Sequence, residues 1–208
     1  GTGAVHLYHI GEHTIIRCDS EFADKLSDAV DDIYAHKGHQ SAIHGIHLNE
    51  VFTDESLHLD HIEKLHYLNP EHFKPFSTTD YPVQYLSATD QAAVEILKSA
   101  CTVYEYEDSW VSAEDECATG AFDGEKLIAC ASMYQWMGFA DPGVLIHPDY
   151  RGKGLGKATI SALCEWALKH GRLIDYRCTT DNMASAKLAE SLGFQQYYHL
   201  EAYQYTSD

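Results

Sequence analysis

The chain has 208 residues, enough for one large domain or two small ones with a real core. Its 45% hydrophobic and 22% charged residues are those of an ordinary soluble globular protein, with no signal-peptide pattern and no apolar run near the roughly 20 residues of a membrane span. The formal charge of -18 excludes a nucleic-acid binder, which needs a basic footprint, and suits either a well-solvated surface or a field that draws a cationic amine.

Residues 5–10 and 13–17 flank Gly11-Glu12 and predict a β-hairpin. Ser20 is the expected cap of a helix whose apolar stripe is Phe22, Leu26, Ala29, Val30 and Ile33. Residues 36–50 look irregular, and Ile62, Leu65 and Leu68 predict a short second helix. Asn69-Pro70, Lys74-Pro75 and Tyr81-Pro82 then break regular structure in quick succession. They set a boundary between a small α+β N-terminal region over 1–82 and a second region over 83–208.

In the second region residues 83–86 predict a strand. Thr89 or Asp90 caps a helix carrying Ala93, Ile96, Leu97 and Ala100. A hairpin joins 118–122 to 126–136 across Asp123-Gly124, and 143–147 is a short apolar strand. A helix over 158–170 ends at Gly171, a strand covers 173–179, and a helix over 183–192 starts from Asp181 or Asn182. A tyrosine-rich strand over 196–205 closes the chain. The order is β-α-β-β-β-α-β-α-β, a mixed α/β class with a central twisted sheet flanked by helices.

The chemistry concentrates in Arg151-Gly152-Lys153-Gly154-Leu155-Gly156-Lys157, between a strand and a helix. Glycines at alternate positions let the backbone approach a ligand and turn its N–H groups toward it. The helix N-terminus and three cations add positive charge, a combination that suits a diphosphate. The spacing excludes a Walker loop, because Arg151 stands where its first glycine belongs and Ala158 follows Lys157. It also excludes the dinucleotide fingerprint, because Gly154 and Gly156 are two apart rather than three.

Arg151, Gly154 and Gly156 match the Arg/Gln-x-x-Gly-x-Gly/Ala pattern, and the segment resembles the acetyl-CoA motif of the GNAT superfamily of N-acetyltransferases. A second match, Asn182-Met183-Ala184-Ser185 followed by Ala189-Glu190-Ser191-Leu192-Gly193-Phe194, looks like that family's last helix and its Gly-Phe ending. The resemblance covers about 83–208 and implies a GNAT-like catalytic domain with acetyl-CoA as cosubstrate and no metal. It implies that Val144, Leu145 and Ile146 hold the pantetheine arm, with a strand N–H near Leu145 steadying the oxyanion. The N–H groups of Gly152, Lys153, Gly154, Leu155, Gly156 and Lys157 would bind pyrophosphate, Arg151 and the two lysines would add charge, and Asn182 and Ser185 would line the far wall. The implied reaction is direct attack of a primary amine of a small molecule or peptide on the thioester in a ternary complex.

The chain departs from the family at position 189, where many relatives carry a tyrosine acid and this sequence has alanine. The general acid is therefore unassigned, and a CoA-binding module without turnover is the alternative reading. Asp141 is the candidate general base, set against its reading as the first residue of an Asp-Pro-Gly turn. Glu105, Glu107 and Asp108 read as substrate-facing residues or a solvated acidic run, Tyr134 and Trp136 as pocket walls or cross-strand packing, and His147 as structural.

Eleven of the fourteen histidines precede residue 82, in i, i+3 pairs such as His6/His9 and His58/His61. None of the familiar zinc signatures accompanies them, and no metal site is expected. This half is read as a degenerate transferase-like half that supplies a wall of the acceptor pocket or a homodimer surface. The six scattered cysteines fit buried, reduced thiols and a cytoplasmic location.

Overall fold

The computed structural model describes residues 4–11, 13–37, 57–78, 80–136 and 138–205. Of the irregular stretch expected at 36–50, residues 36–37 are helical and the rest lies outside the described residues. The chain divides into two compact units, one of Gly1–His66, Arg177–Met183 and Gln196–Asp208, the other of Tyr67–Tyr176 and Ala184–Gln195.

The first unit opens with the expected hairpin: β1 (Ala4–Ile10) and β2 (His13–Cys18) pair antiparallel, with Ile10 opposite His13. Helix α1 (Ala23–Lys37) follows a 3-10 turn at Ser20–Phe22, so Ser20 lies inside that turn rather than capping the helix. The predicted stripe is present: Phe22, Leu26, Ala29 and Ile33 pack with Val5, Leu7 and Tyr203, and Val30 lies beside them. The expected helix at 62–68 is instead β3 (Leu57–Tyr67). β3 lies inside the sheet, whose order is β2-β1-β9-β3-β8, with β8 (Asp175–Thr179) and β9 (Gln195–Tyr205). Its successive residues Leu65 and His66 are both buried. Where a strand is covered on both faces, as here at Leu65 and His66, the alternation that betrays a half-exposed strand is lost, and a chance spacing of three then imitates a helix.

The second unit is built on a four-stranded sheet, β4-β5-β6-β7. Its strands are β4 (Val83–Tyr85), β5 (Cys117–Asp123), β6 (Lys126–Trp136) and β7 (Phe139–Ile146). One face packs Val94, Leu97, Val111, Cys130 and Leu145 under α2 (Gln91–Ser99). The stripe of α2 is rotated from expectation: Val94 and Leu97 are buried, whereas Ile96 is exposed. Next comes α3 (Val103–Ser109), a short helix that the apolar pattern did not announce. Thr102 and Glu105 close its first turn as a reciprocal capping box. The last turn of α3 sits on β7 at Gly143, where an added Cβ would lie 1.8 Å from the Ser109 carbonyl oxygen.

The opposite face packs Ala121, Ile128 and Ala129 against Leu155 of α4 (Leu155–Lys169). This helix begins one turn earlier than the expected 158, so Gly156 and Lys157 belong to its first turn. Helix α5 (Met183–Leu192) has the bounds read from sequence. Among the described residues no helix is long and apolar enough to cross a membrane. The α/β class with several flanking helices is as expected, although the strands divide between two sheets.

Candidate functional site

The site begins at the edge of β7. One side of this strand pairs antiparallel with β6, from Trp136 opposite Phe139 to Ala129 opposite Ile146, and the His147 N–H continues the ladder to the Ile128 carbonyl at 2.9 Å. Bonded and non-bonded pairs alternate along such a ladder. Residues 141, 143 and 145 therefore turn their backbone groups to β6, while 140, 142, 144 and 146 turn theirs outward. Two observations agree with this parity. The Ala140 N–H donates to the Leu173 carbonyl on the outer side at 2.8 Å, and Pro142, with no N–H to give, stands at an outward position.

On that outer side the parallel bridge of Ala140 to Ile174 is the only ladder contact among the described residues. Beyond it Val144 and Ile146 present backbone groups at a sheet edge, and the Ile146 carbonyl accepts the Cys101 S–H at 3.7 Å. Leu145, expected among the arm-holding residues, differs from its neighbours. Its backbone faces Cys130 in β6 and its side chain is buried beneath α2. The outward N–H nearest the middle of the strand belongs to Val144, not Leu145.

The chain leaves β7 through a 3-10 turn at Pro148–Tyr150, braced by the Asp149 N–H donating to His147 Nδ1 at 3.3 Å. His147 is thus a turn-forming residue. Gly154 then caps α4 with φ at 77°, a left-handed conformation that costs other residues about 1–2 kcal/mol. The N–H groups of residues 154–157 have no acceptor within the helix by its geometry, and the helix dipole places partial positive charge there. Gly156 lets this first turn sit close to the strand, since a Cβ would lie 2.9 Å from Ile146 Cδ1 and 3.2 Å from Leu188 Cδ1. The N–H cluster and the open strand edge are held together by this contact.

The three cations around the loop are arranged differently from one another. Arg151 pairs with Glu105 of α3 at 2.7 Å. Lys153 stands 4.5 Å from the Tyr150 ring centroid and 5.6 Å from that of Tyr81, and Lys157 stands 4.7 Å from that of Phe76. The Glu105 carboxyl is held below its ordinary range, first by the Thr102 backbone N–H and also by Arg151. Sequence reasoning missed Phe76, whose N–H donates to Ser161 Oγ at 2.8 Å and whose ring lies 3.4 Å from the position of a Gly154 Cβ. The prolines around it marked only a boundary. It also missed Cys101. The signal for Glu105 was present as Thr102-x-x-Glu105.

Asp141 is not a turn residue. It lies within β7 opposite Tyr134, is 3% exposed, and accepts the Tyr134 hydroxyl at 3.0 Å. The Tyr134 ring lies 6.3 Å from that of Trp110, the exposed left-handed residue ending α3. Of the last-helix residues, Ser185 shares a hydrogen bond of 2.8 Å with the Tyr176 hydroxyl, and Ala189 is fully buried. Asn182 belongs to the first unit, where its N–H donates to the Thr179 carbonyl at 3.1 Å.

Cys101 is the thiol nearest the open edge. Burial pushes it above its ordinary range, and Glu105 adds to this, so it stays protonated near neutral pH. Cys117 and Cys130 are pushed up to about 12 by burial. A thiol that stays protonated is a poor covalent carrier of an acyl group. Cys101→Ala is accordingly expected to retain any acyl-transfer activity of the protein, with intersecting rather than parallel initial-velocity lines. Parallel lines together with loss of activity in Cys101→Ala would contradict this reading.

A model of the acetyltransferase (GNAT) family matches residues 66–194. No curated protein matches the chain. Among solved structures, a GCN5-related N-acetyltransferase from Sphaerobacter thermophilus is similar with a TM-score of 0.60 and 8% identity, over 97% of this chain and 76% of that one. A GNAT-family acetyltransferase from Colwellia psychrerythraea has a TM-score of 0.59 and 14% identity, over 93% and 76%. A tandem GNAT protein from the clavulanic acid biosynthesis pathway has a TM-score of 0.59 and 16% identity, over 95% and 75%. At these identities the likeness is one of fold.

Proposed function

Because the chain belongs to the GNAT acetyltransferase family, we propose that it moves an acetyl group from acetyl-CoA to a primary amine by direct attack in a ternary complex. The observation that carries the proposal is the open edge of β7 beside the uncapped N–H groups of α4. In this reading residues 152–157 bind the pyrophosphate through their N–H groups, with Lys153 and Lys157 adding charge. The pantetheine arm runs along the edge from Ile146 toward the Ala140–Ile174 bridge and pairs with the outward groups there. The thioester carbonyl then meets the Val144 N–H, which steadies the oxyanion as the amine attacks. Asp141 takes the proton from the amine, and the thiolate leaves to be protonated by solvent. The proposed location is the cytoplasm, which the free state of all six cysteines fits.

A second reading, a CoA-binding module without turnover, is favoured by Ala189. Its buried methyl group brings no proton donor to the leaving thiolate. Turnover separates the two readings, whereas binding tests their shared part. Gly154→Val is expected to weaken acetyl-CoA binding measured by calorimetry. Its left-handed strain of about 1–2 kcal/mol, relieved by moving the loop, corresponds to roughly 5–30-fold in affinity. Unchanged affinity in a folded Gly154→Val protein would remove the loop from the site.

A further inference from the structure

The first unit brings together side chains that local spacing keeps apart. In the register of β1 with β9, His9 stands opposite His199 and Leu7 opposite Glu201. His199 and Glu201 are two residues apart on one strand and share a face, and His9 meets them on that face from the neighbouring strand. The His9 and His199 rings stack with centroids 4.4 Å apart. His9 Nε2 lies 3.3 Å from Glu201 Oε1, and one ligand atom from each of the three residues lies within 4.8 Å of the other two. His9 is 3% exposed and Glu201 9%.

We propose that His9, His199 and Glu201 bind one divalent transition-metal ion, with zinc the best fit. Two imidazoles and a carboxylate are a ligand set that zinc takes in tetrahedral geometry, leaving the fourth position for water or another ligand. With bonds of about 2.0–2.1 Å the edge of that tetrahedron is about 3.3 Å, the separation of His9 from Glu201. The other separations need to shorten by at most about 1.5 Å to reach the same edge.

The surroundings supply the supporting bonds that a metal site uses. His9 Nδ1 lies 3.2 Å from Thr14 Oγ1, and the Tyr203 hydroxyl donates to Glu201 Oε2 at 2.8 Å. His9 and Glu201 thus each have their second polar atom held, which orients the ring and the carboxylate. With the His9 Nδ1–H donated to Thr14, the Nε2 lone pair faces a carboxylate oxygen. A cation between them converts two opposed acceptors into two ligands. The opposite tautomer, with Nε2–H donated to Glu201, makes the group a plain hydrogen-bonded pair without metal.

The test uses the full chain, stripped with a chelator, dialysed, and titrated with Zn²⁺ and separately with Co²⁺. Retained metal per chain and the visible cobalt spectrum are the readouts, and circular dichroism checks the fold. The expected result is one tightly held ion per chain and a tetrahedral cobalt spectrum. Glu201→Gln and His199→Asn should weaken binding by about 100-fold or more, and Tyr203→Phe and Thr14→Val by about 10–100-fold. His58→Asn, at an exposed position, should leave it unchanged. A wild-type protein that retains no ion would overturn the proposal. So would Glu201→Gln and His199→Asn proteins that retain metal as the wild type does. If those variants do not fold, the wild-type cobalt spectrum decides, and an octahedral, water-like spectrum counts against the site.

Discussion

Replacing Asp141 with asparagine is expected to lower kcat by about 100- to 10,000-fold, the usual range for a positioned general base, with little change in acetyl-CoA affinity. An aliphatic amine is mostly protonated at neutral pH and cannot attack the thioester until it loses a proton. Asp141 is a buried carboxylate on β7, three residues from Val144, and already accepts a hydrogen bond from Tyr134. Asparagine keeps the shape and can still accept that bond, so the fold and the strand edge should survive. It cannot take up the proton. The residual rate of Asp141→Asn should rise steadily with pH as free amine becomes abundant, whereas the wild-type rate should level off. An unchanged kcat would remove Asp141 from the reaction and return it to a structural partner of Tyr134.

The second large effect concerns a backbone group. An ester in place of the amide between Gly143 and Val144 deletes one N–H without adding an atom. It should cost about 100- to 1,000-fold in kcat if that N–H steadies the oxyanion, since a single such donor is worth about 3–4 kcal/mol. The ladder to β6 should be unaffected, because the Val144 backbone faces the other way by the parity of β7. The same change at Leu145 removes a bond to β6, so it should destabilise the protein and leave kcat per folded molecule nearly intact. The reverse outcome, with Leu145 sensitive in kcat and Val144 silent, would show the parity argument to be wrong.

This contrast marks where sequence reasoning stopped. The loop at 151–157 was legible because its chemistry is local. Glycines, cations and a helix start lie within seven residues, and Gly154 does adopt the left-handed conformation. The division of labour among Val144, Leu145 and Ile146 was not legible, because it depends on which partner carbonyl each N–H meets, and register is a long-range property. Asp141 shows the same limit. Asp-Pro-Gly has the composition of a turn, yet pairing with Tyr134, Met133 and Ser132 holds it in a strand whose outer edge tolerates the proline.

Helix α3 was hidden for another reason. Its residues, Val-Tyr-Glu-Tyr-Glu-Asp-Ser, form no apolar stripe, so only the capping box at Thr102 and Glu105 signalled a start. In the N-terminal half the i, i+3 spacing of the described histidines brings no pair together on one face. His58 and His61 lie on opposite faces of β3, and His9 meets His199 rather than His6. A ligand set assembled across two strands separated by most of the chain leaves no motif to read.

Acetyl transfer is tested most directly by release of free CoA thiol from acetyl-CoA by the wild-type protein, across a panel of polyamines, amino sugars, N-terminal peptides and lysine peptides. The expected result is release that depends on an amine, saturates in both substrates, and yields one acetylated amine per thiol. Retained acetyl-CoA binding with no amine-dependent release across the whole panel would contradict it and leave the CoA-binding module as the reading.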